Sequence, residues 1–214
     1  MILFLSLLGA FLAGFVHALE PDHVAAVTTF VSRWKPASLG QRALEFGIYW
    51  GLGHALAVMS LGAALLLLDL DIPVAAVSAL EFFVGAMLLA LGLGALWNLL
   101  HRAGSALGPG SHVRSAHGRP QQTLWVGVVH GVAGTAPLVA VLPVTLIASR
   151  SLAIFYLLLF GLGTMAGMAV YAAIAGAAFR RARERTPRLA AAIRASSGLG
   201  SAAVGVLWMV IALG

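Results

Sequence analysis

The sequence predicts an all-α polytopic membrane protein of six transmembrane helices. Three observations favour this fold class: 61% of the 214 residues are hydrophobic, only 9% are charged, and the apolar residues lie in six long runs. Soluble domains are typically about 25% charged, and a membrane-spanning helix needs about 20 mostly apolar residues. An ordinary soluble domain and a disordered chain are therefore excluded. The six runs are 2–31, 43–68, 76–100, 122–148, 151–179 and 192–213.

The distribution of charge predicts the orientation in the membrane. Twelve of the 13 Lys and Arg residues fall in the connections 32–42, 101–121 and 180–194, which share one side of a six-span chain. Cytoplasmic loops carry the excess of Lys and Arg. We therefore expect these connections in the cytoplasm and both termini outside, in the inner (plasma) membrane. The net charge of +6 then lies in the cytoplasmic loops, where it determines the orientation of the chain and contacts anionic lipid. We therefore expect no nucleic-acid partner.

The two halves of the chain resemble each other. The matching segments are 14–17 (GFVH) with 127–130 (GVVH), 50–54 (WGLGH) with 160–164 (FGLGT), and 84–85 (VG) with 204–205 (VG). Their offsets are 113, 110 and 120 residues. Three spans per half make the halves inverted, a common plan for secondary transporters. We expect a first three-helix repeat over 1–100, a flexible His-containing cytoplasmic loop over 101–121, and a second repeat over 122–214.

The first apolar run carries a dense group of ionisable residues. Segment 17–23 reads HALEPDH and holds two imidazoles and two carboxylates. Each ionisable group placed mid-membrane costs on the order of 2.5–3.5 kcal/mol on insertion scales. On a straight helix these side chains would scatter around the axis. Pro21 has no N–H, and its ring displaces the carbonyl of His17, so we expect a kink or break that lets the side chains converge.

These ionisable groups are candidate metal ligands. Imidazole and carboxylate without sulfur suit Ni, Co, Zn, Mn or Fe as divalent cations, and the absence of Cys excludes a thiolate site. A proton relay and a self-satisfied hydrogen-bond network are the alternatives. The predicted metal ligands are His17, Glu20, Asp22, His23, His54 and His130.

A second broken helix is predicted in the fourth run. Small residues and Pro137 follow His130 there, and this segment would face the first break. For His54 a relay role is an alternative, for His130 a packing hydrogen bond, and for Glu81 an interfacial hydrogen bond. The predicted pathway or gating residues are Pro21, Glu81, Gly131, Thr135 and Pro137.

Several function classes are disfavoured. The single lysine, Lys35, does not lie in a glycine-rich phosphate loop, so we expect no nucleotide. The chain has no His-Glu-x-x-His, no Gly-x-Ser-x-Gly and no Cys, so we do not expect an enzyme. A haem carrier with paired histidine ligands is a minor alternative, and we expect no haem. The expected partners are the metal ion and the lipid bilayer, and a homo-oligomer is compatible with the sequence.

The spacing His17-x4-Asp22-His23 resembles the His-x4-Asp-His signature of the nickel/cobalt transporter superfamily (NiCoT/NicO). Segments 17–27 and 130–134 (HGVAG) are most similar to its shorter, urease-accessory (UreH-like) branch. The resemblance covers the six-span layout and implies passage of Ni2+ or Co2+, as transported substrate, across the membrane. It also implies metal recognition by His17, Asp22 and His23. A general Zn, Mn or Fe transporter and a proton-relay membrane protein are the alternatives.

Overall fold

The computed structural model describes residues 2–32, 39–68, 73–104, 120–133, 147 and 149–214, and the regular elements in these ranges are all α-helices. Seven helices follow one another there: α1 (Ile2–His17), α2 (Pro21–Ser32), α3 (Leu39–Leu68), α4 (Val74–Gly104), α5 (Pro120–Ala133), α6 (Arg150–Arg185) and α7 (Pro187–Leu213). The all-helical class predicted from the sequence therefore holds for the described chain.

Four helices in these ranges are long and apolar enough to cross a membrane: α3 over Gln41–Leu68, α4 over Ala75–His101, and the whole of α6 and α7. The shortest of these spans has 27 residues and is about 40 Å long, more than the hydrocarbon core of about 30 Å. The chain is therefore an integral membrane protein. The helices α1, α2 and α5 have 16, 12 and 14 residues, and none of them is long enough to cross by itself.

The first apolar run is divided into two half-length helices, as the proline predicts. The helix α1 ends at His17, three non-helical residues follow, and α2 begins at Pro21. The carbonyl of His17 accepts the N–H of Glu20 at 3.0 Å, because Pro21 has no N–H to donate to it. Proline suits the first position of the new helix, where an N–H would have no helical acceptor.

The second predicted break falls on residues that the structure does not describe. The helix α5 ends at Ala133, and the predicted gating residues Thr135 and Pro137 lie in the range 134–146, outside the described residues. Their role stays a prediction.

The last two helices extend beyond the apolar runs from which they were predicted. The helix α6 continues to Arg185 and α7 begins at Pro187, so Thr186 alone separates them. Alanine and arginine are strong helix formers, and they continue α6 past its apolar part. The Thr186 hydroxyl accepts the N–H of Leu189 and caps α7. An apolar run therefore marks what lies in the bilayer and not where a helix ends.

The central pair of helices, α3 and α6, is antiparallel and closely packed. A Cβ added at Gly47 would lie 2.7 Å from the Cα of Ala169, and one added at Gly51 would lie 2.7 Å from the Cα of Met165. The contact therefore moves back along α6 as it advances along α3. The helices α4 and α7 pair in the same antiparallel way through glycines of both.

The half-length helix α1 runs parallel to α6. A Cβ at Gly163 would clash with the carbonyl oxygen of Phe11, and a Cβ at Gly167 would lie 2.7 Å from the carbonyl oxygen of Phe15. The contact thus advances along both helices together.

The half-length helix α5 runs parallel to α3. A Cβ at Gly127 would clash with the carbonyl oxygen of Trp50, and a Cβ at Gly131 would lie 2.7 Å from the carbonyl oxygen of His54. Since α3 and α6 are antiparallel, α1 and α5 enter the bundle from opposite ends. Each of them ends inside it, close to a histidine.

The helix α2 is held to the second half of the chain by side-chain hydrogen bonds. The hydroxyls of Thr28 and Tyr171 lie 2.7 Å apart, and Arg194 donates from Nε to the carbonyl of Ser32 at 2.8 Å. The arginine satisfies a terminal carbonyl that has no partner within α2 and places a positive charge at the negative end of the helix. These contacts fix the direction in which α2 leaves the break.

The close approach of α3 and α5 gives a stability prediction. A Cβ at Gly53 would clash with the carbonyl oxygen of Leu124, so Gly53→Ala should lower the free energy of unfolding by about 1–3 kcal/mol through overpacking. The matched control is Gly94→Ala, whose Cβ would have no heavy atom within 4 Å and which should be neutral or slightly stabilising. Thermal unfolding in detergent measures both, and equal melting temperatures would contradict the prediction.

Candidate metal centre

Four histidines and an aspartate meet where α1 ends and α2 begins. His17 is the last residue of α1, Asp22 and His23 lie in the first turn of α2, His54 lies in the middle of α3, and His130 is in the last turn of α5. All five side chains are buried, with exposures of 2% or less. The structure thus brings together five of the six ligands predicted from the sequence, and the sixth, Glu20, lies beside them.

The ligand atoms form two groups that share one histidine. His17, His23 and His54 form the first group, and Asp22, His23 and His130 form the second. Within each group the three ligand atoms lie within 4.8 Å of one another. A divalent ion that bonds to imidazole nitrogen at about 2.0–2.1 Å could be reached by either group with small side-chain rotations.

One pair of imidazoles already has the spacing of two ligands to one ion. The Nε2 atoms of His17 and His54 lie 3.3 Å apart and share a hydrogen bond. Two nitrogens bound to a tetrahedral ion with bonds of about 2.0–2.1 Å stand about 3.4 Å apart. An ion could therefore take the place of the shared proton without separating the helices that carry these residues.

The carboxylate of Asp22 faces two imidazoles at once. Its Oδ1 accepts the backbone N–H of His23 at 2.9 Å and lies 3.0 Å from the Nδ1 of the same residue. Its Oδ2 lies 3.3 Å from Nε2 of His130. A carboxylate at Nδ1 favours the tautomer that carries its proton there, which leaves Nε2 of His23 as an electron-pair donor. Asp22 also lies at a helix N-terminus, where a negative charge is stabilised.

Glu20 makes the corresponding contact to the other histidine of the segment. Its Oε1 lies 2.9 Å from Nδ1 of His17, and its side chain is 31% exposed. The carboxylate favours a proton on Nδ1 of His17 and leaves Nε2, which faces His54, free to bind an ion. The exposed Pro21 has no donor atom, and its contribution is the break itself.

Several buried nitrogens of the cluster have no hydrogen-bond partner among the described residues. An unsatisfied buried polar group costs about 1–3 kcal/mol, and native proteins keep few of them. A metal ion or a water molecule at this place could complete their bonding. These nitrogens include Nε2 of His23, Nδ1 of His54, Nδ1 of His130 and Nε1 of Trp50.

Two buried aromatic rings, which the sequence analysis did not assign to the site, enclose it. Phe160 packs on His17 with ring centroids 5.5 Å apart, and Trp50 packs edge-on against His130 at 5.6 Å. A tryptophan in an apolar run is typical of a membrane interface, but Trp50 is fully buried. The available signal was their matching place in the segments WGLGH and FGLGT.

The remaining predicted pathway residues differ in how they relate to the cluster. Glu81 lies on α4, which contributes no ligand atom to either group among the described residues. Gly131 lies next to His130 and lets α5 approach the backbone of His54. Thr135 and Pro137 are outside the described residues.

The contact between Glu20 and His17 gives a prediction for metal affinity. Glu20→Ala removes the acceptor at Nδ1 and should weaken Ni2+ binding about 10–100-fold. Glu20→Gln keeps an acceptor oxygen but loses the charge, so it should lose less affinity than Glu20→Ala, whereas Glu81→Gln, a carboxylate change on α4, should have no effect. Isothermal titration calorimetry measures all three. Equal losses for the Ala and Gln variants would show that Glu20 does not act by orienting His17.

Comparisons with known proteins give relatives but no solved structure. No family model matches the chain, and no solved structure does. The chain is 26% identical over 212 residues to the Arabidopsis thaliana chloroplast protein FOR GROWTH AND FERTILITY 2, covering 92% of this chain and 54% of that protein. It is 29% identical over 197 residues to FOR GROWTH AND FERTILITY 1 of the same plant, covering 84% and 52%. The chain thus spans about half the length of these plant relatives.

A bacterial relative is more similar in sequence. The chain is 32% identical over 179 residues to the urease accessory protein UreH of Bacillus sp. (strain TB-90). The match covers 79% of this chain and 75% of that protein. With this identity over this share of both chains, the protein belongs to the family of the urease accessory protein UreH.

Proposed function

We propose that the protein is a transition-metal cation transporter that moves Ni2+ or Co2+ across the membrane through the buried cluster. The observation that carries the proposal is the burial of four histidines and Asp22 from four helices, with ligand atoms within 4.8 Å in each group. This cluster lies in a chain with four membrane-length helices among the described residues. The resemblance of His17-x4-Asp22-His23 to the nickel/cobalt signature supports the choice of metal, as does a relative named for urease.

The donor set of the cluster suits such an ion. Imidazole is a borderline ligand that favours late first-row ions such as Co2+, Ni2+ and Zn2+, whereas Mg2+ and Ca2+ prefer oxygen alone. The charges of Asp22 and Glu20 together offset the two positive charges of the ion. A neutral site matters in the bilayer interior because an uncompensated charge there is costly. The cluster can therefore both replace the hydration shell of the ion and offset its charge.

The proposal includes the six-span architecture of two inverted repeats, and the glycine contacts support it. Gly14 faces the carbonyl of Phe160, and Gly127 faces the carbonyl of Trp50. The repeat offset of 113 residues relates Gly14 to Gly127, and the offset of 110 residues relates Trp50 to Phe160. The two offsets together therefore convert one contact into the other. Other pairs that exchange in this way are Gly53–Leu124 with Phe11–Gly163, and Ala57–Gly131 with Gly167–Ala18.

This architecture accounts for the place of the cluster. In transporters with inverted repeats, the substrate site lies near the membrane midplane, between the ends of broken helices. His17 ends one half-length helix and His130 lies in the last turn of another, and these helices enter from opposite ends. We propose alternating access to the site, with the basic end of α6 in the cytoplasm and both termini outside, in the inner membrane.

Metal binding by purified protein tests the proposal directly. We expect the protein in detergent to bind Ni2+ or Co2+, and His17→Ala/His23→Ala to lose this binding because two of the imidazole donors are gone. His101→Ala, which changes an exposed histidine at the end of α4, should leave the binding unchanged. Calorimetry and elemental analysis with Ni, Co, Zn and Mn measure it. Unchanged binding in the double variant, or binding of none of these ions, would contradict the proposal.

Transport in liposomes separates the proposal from its alternatives. Proteoliposomes that hold a metal-sensitive dye should report Ni2+ or Co2+ entry with the protein and none with His17→Ala/His23→Ala. Equal entry of Zn2+ or Mn2+ would indicate a general divalent-metal transporter. The 3.3 Å contact between His17 and His54 also suits a proton relay. Proton flux reported by a pH-sensitive dye, without metal entry, would favour that alternative.

A further inference from the structure

The two groups of ligand atoms include histidines from half-length helices that run in opposite directions. His17 is carried by α1 and His130 by α5, and these half-length helices run in opposite directions, as their contacts with α6 and α3 show. His23 lies between them, with ring centroids 4.7 Å from His17 and 4.4 Å from His130. His23 therefore links the two groups, and His17 and His130 each belong to one of them.

We infer that a transported ion occupies two overlapping positions in turn and that His23 is the ligand common to both, an inference that rests on the proposed function. The α1-side position is formed by His17, His23 and His54, and the α5-side position by Asp22, His23 and His130.

The shared histidine makes the two positions mutually exclusive. Nδ1 of His23 faces Oδ1 of Asp22, so Nε2 is its nitrogen available to an ion. This buried Nε2 has no hydrogen-bond partner among the described residues. One nitrogen lone pair binds one ion, so the cluster holds a single ion at a time. The ion passes between positions by exchanging the ligands on either side of His23 while that bond persists.

The two positions differ in their donor atoms. The α1-side position offers three imidazole nitrogens, and the α5-side position offers two imidazole nitrogens and Oδ2 of Asp22. Oδ2 is separate from the Oδ1 that contacts His23, so one carboxylate can orient His23 and bind the ion. Three nitrogens favour a late first-row ion, whereas the α5-side position adds a direct carboxylate ligand, so the donor atoms of a bound ion report which position it occupies.

Each position has its own aromatic wall. The ring of Phe160 lies against His17 and that of Trp50 against His130. Both rings are fully buried and come from the antiparallel pair α6 and α3. Nε1 of Trp50 has no acceptor among the described residues and can donate only. It therefore suits a water molecule that the ion retains or regains at the α5-side position.

Single-ligand variants test the inference. Visible absorption during Co2+ titration reports the donor atoms, and proteoliposomes report transport. His130→Ala should keep binding at the α1-side position with an unchanged Co2+ spectrum, and His54→Ala should bind with a shifted spectrum and a lower affinity, because only the α5-side position then keeps its three ligands. His23→Ala should abolish binding, because it removes a ligand from both positions. All three should stop transport, since each breaks the sequence of positions.

The outcomes separate this inference from the proposed function. If His54→Ala and His130→Ala each lose binding as fully as His23→Ala, the cluster is a single site and the two-position inference is overturned. It is also overturned if His130→Ala keeps full transport. If the unaltered protein binds Co2+ or Ni2+ but carries neither, or binds neither, the proposed function itself fails. His54→Asn and His130→Asn replace any alanine variant that does not purify as a monodisperse protein, and His101→Ala is the control.

Discussion

The structure depends on one constraint: polar groups inside an apolar bundle must find their partners within the protein, because the bilayer supplies none. Pro21 removes one backbone donor, and the freed carbonyl of His17 takes the N–H of Glu20 instead. The chain stops being helical for three residues and resumes in a new direction. This local change brings side chains that a straight helix would scatter into one cluster, where imidazoles and carboxylates satisfy one another in part and leave several nitrogens available for an ion.

Close helix contact makes the cluster compact. Glycines lie at close contacts of α1 with α6 and of α5 with α3, and a Cβ at Gly14, Gly53, Gly127 or Gly163 would run into a backbone carbonyl oxygen. Small residues allow such contact in membranes, where no hydrophobic force draws helices together. The half-length helices are therefore held by backbone-to-backbone packing against α3 and α6. Their inner ends are placed accurately enough for His17 and His130 to reach the same space from opposite ends.

The carboxylates explain why histidines dominate the interior of the cluster. Asp22 and Glu20 each lie against Nδ1 of a neighbouring histidine, which directs the metal-binding nitrogen away from the carboxylate and toward the cluster. In the proposed site, the negative charges would offset a divalent cation without surrounding it by oxygen, which favours ions that prefer nitrogen ligands. The second half of the chain carries Thr164 where the first carries His54. In the proposed inverted-repeat architecture, the two halves therefore contribute unequally to the proposed site.

Local signals in the sequence determined much about this protein: the helical membrane class, the break at Pro21, and the candidate ligands in segment 17–23, with His54 and His130 as their partners. Each signal depends on a few neighbouring residues, because run length, a missing N–H and the cost of charge in lipid act at short range. Only the tertiary structure decided which atoms meet. It divided the ligands into two groups around His23, oriented both carboxylates, buried Trp50 and Phe160 as walls, left Glu81 apart and continued α6 to Arg185. Those outcomes depend on contacts between helices far apart in the chain, and no spacing within one segment encodes them.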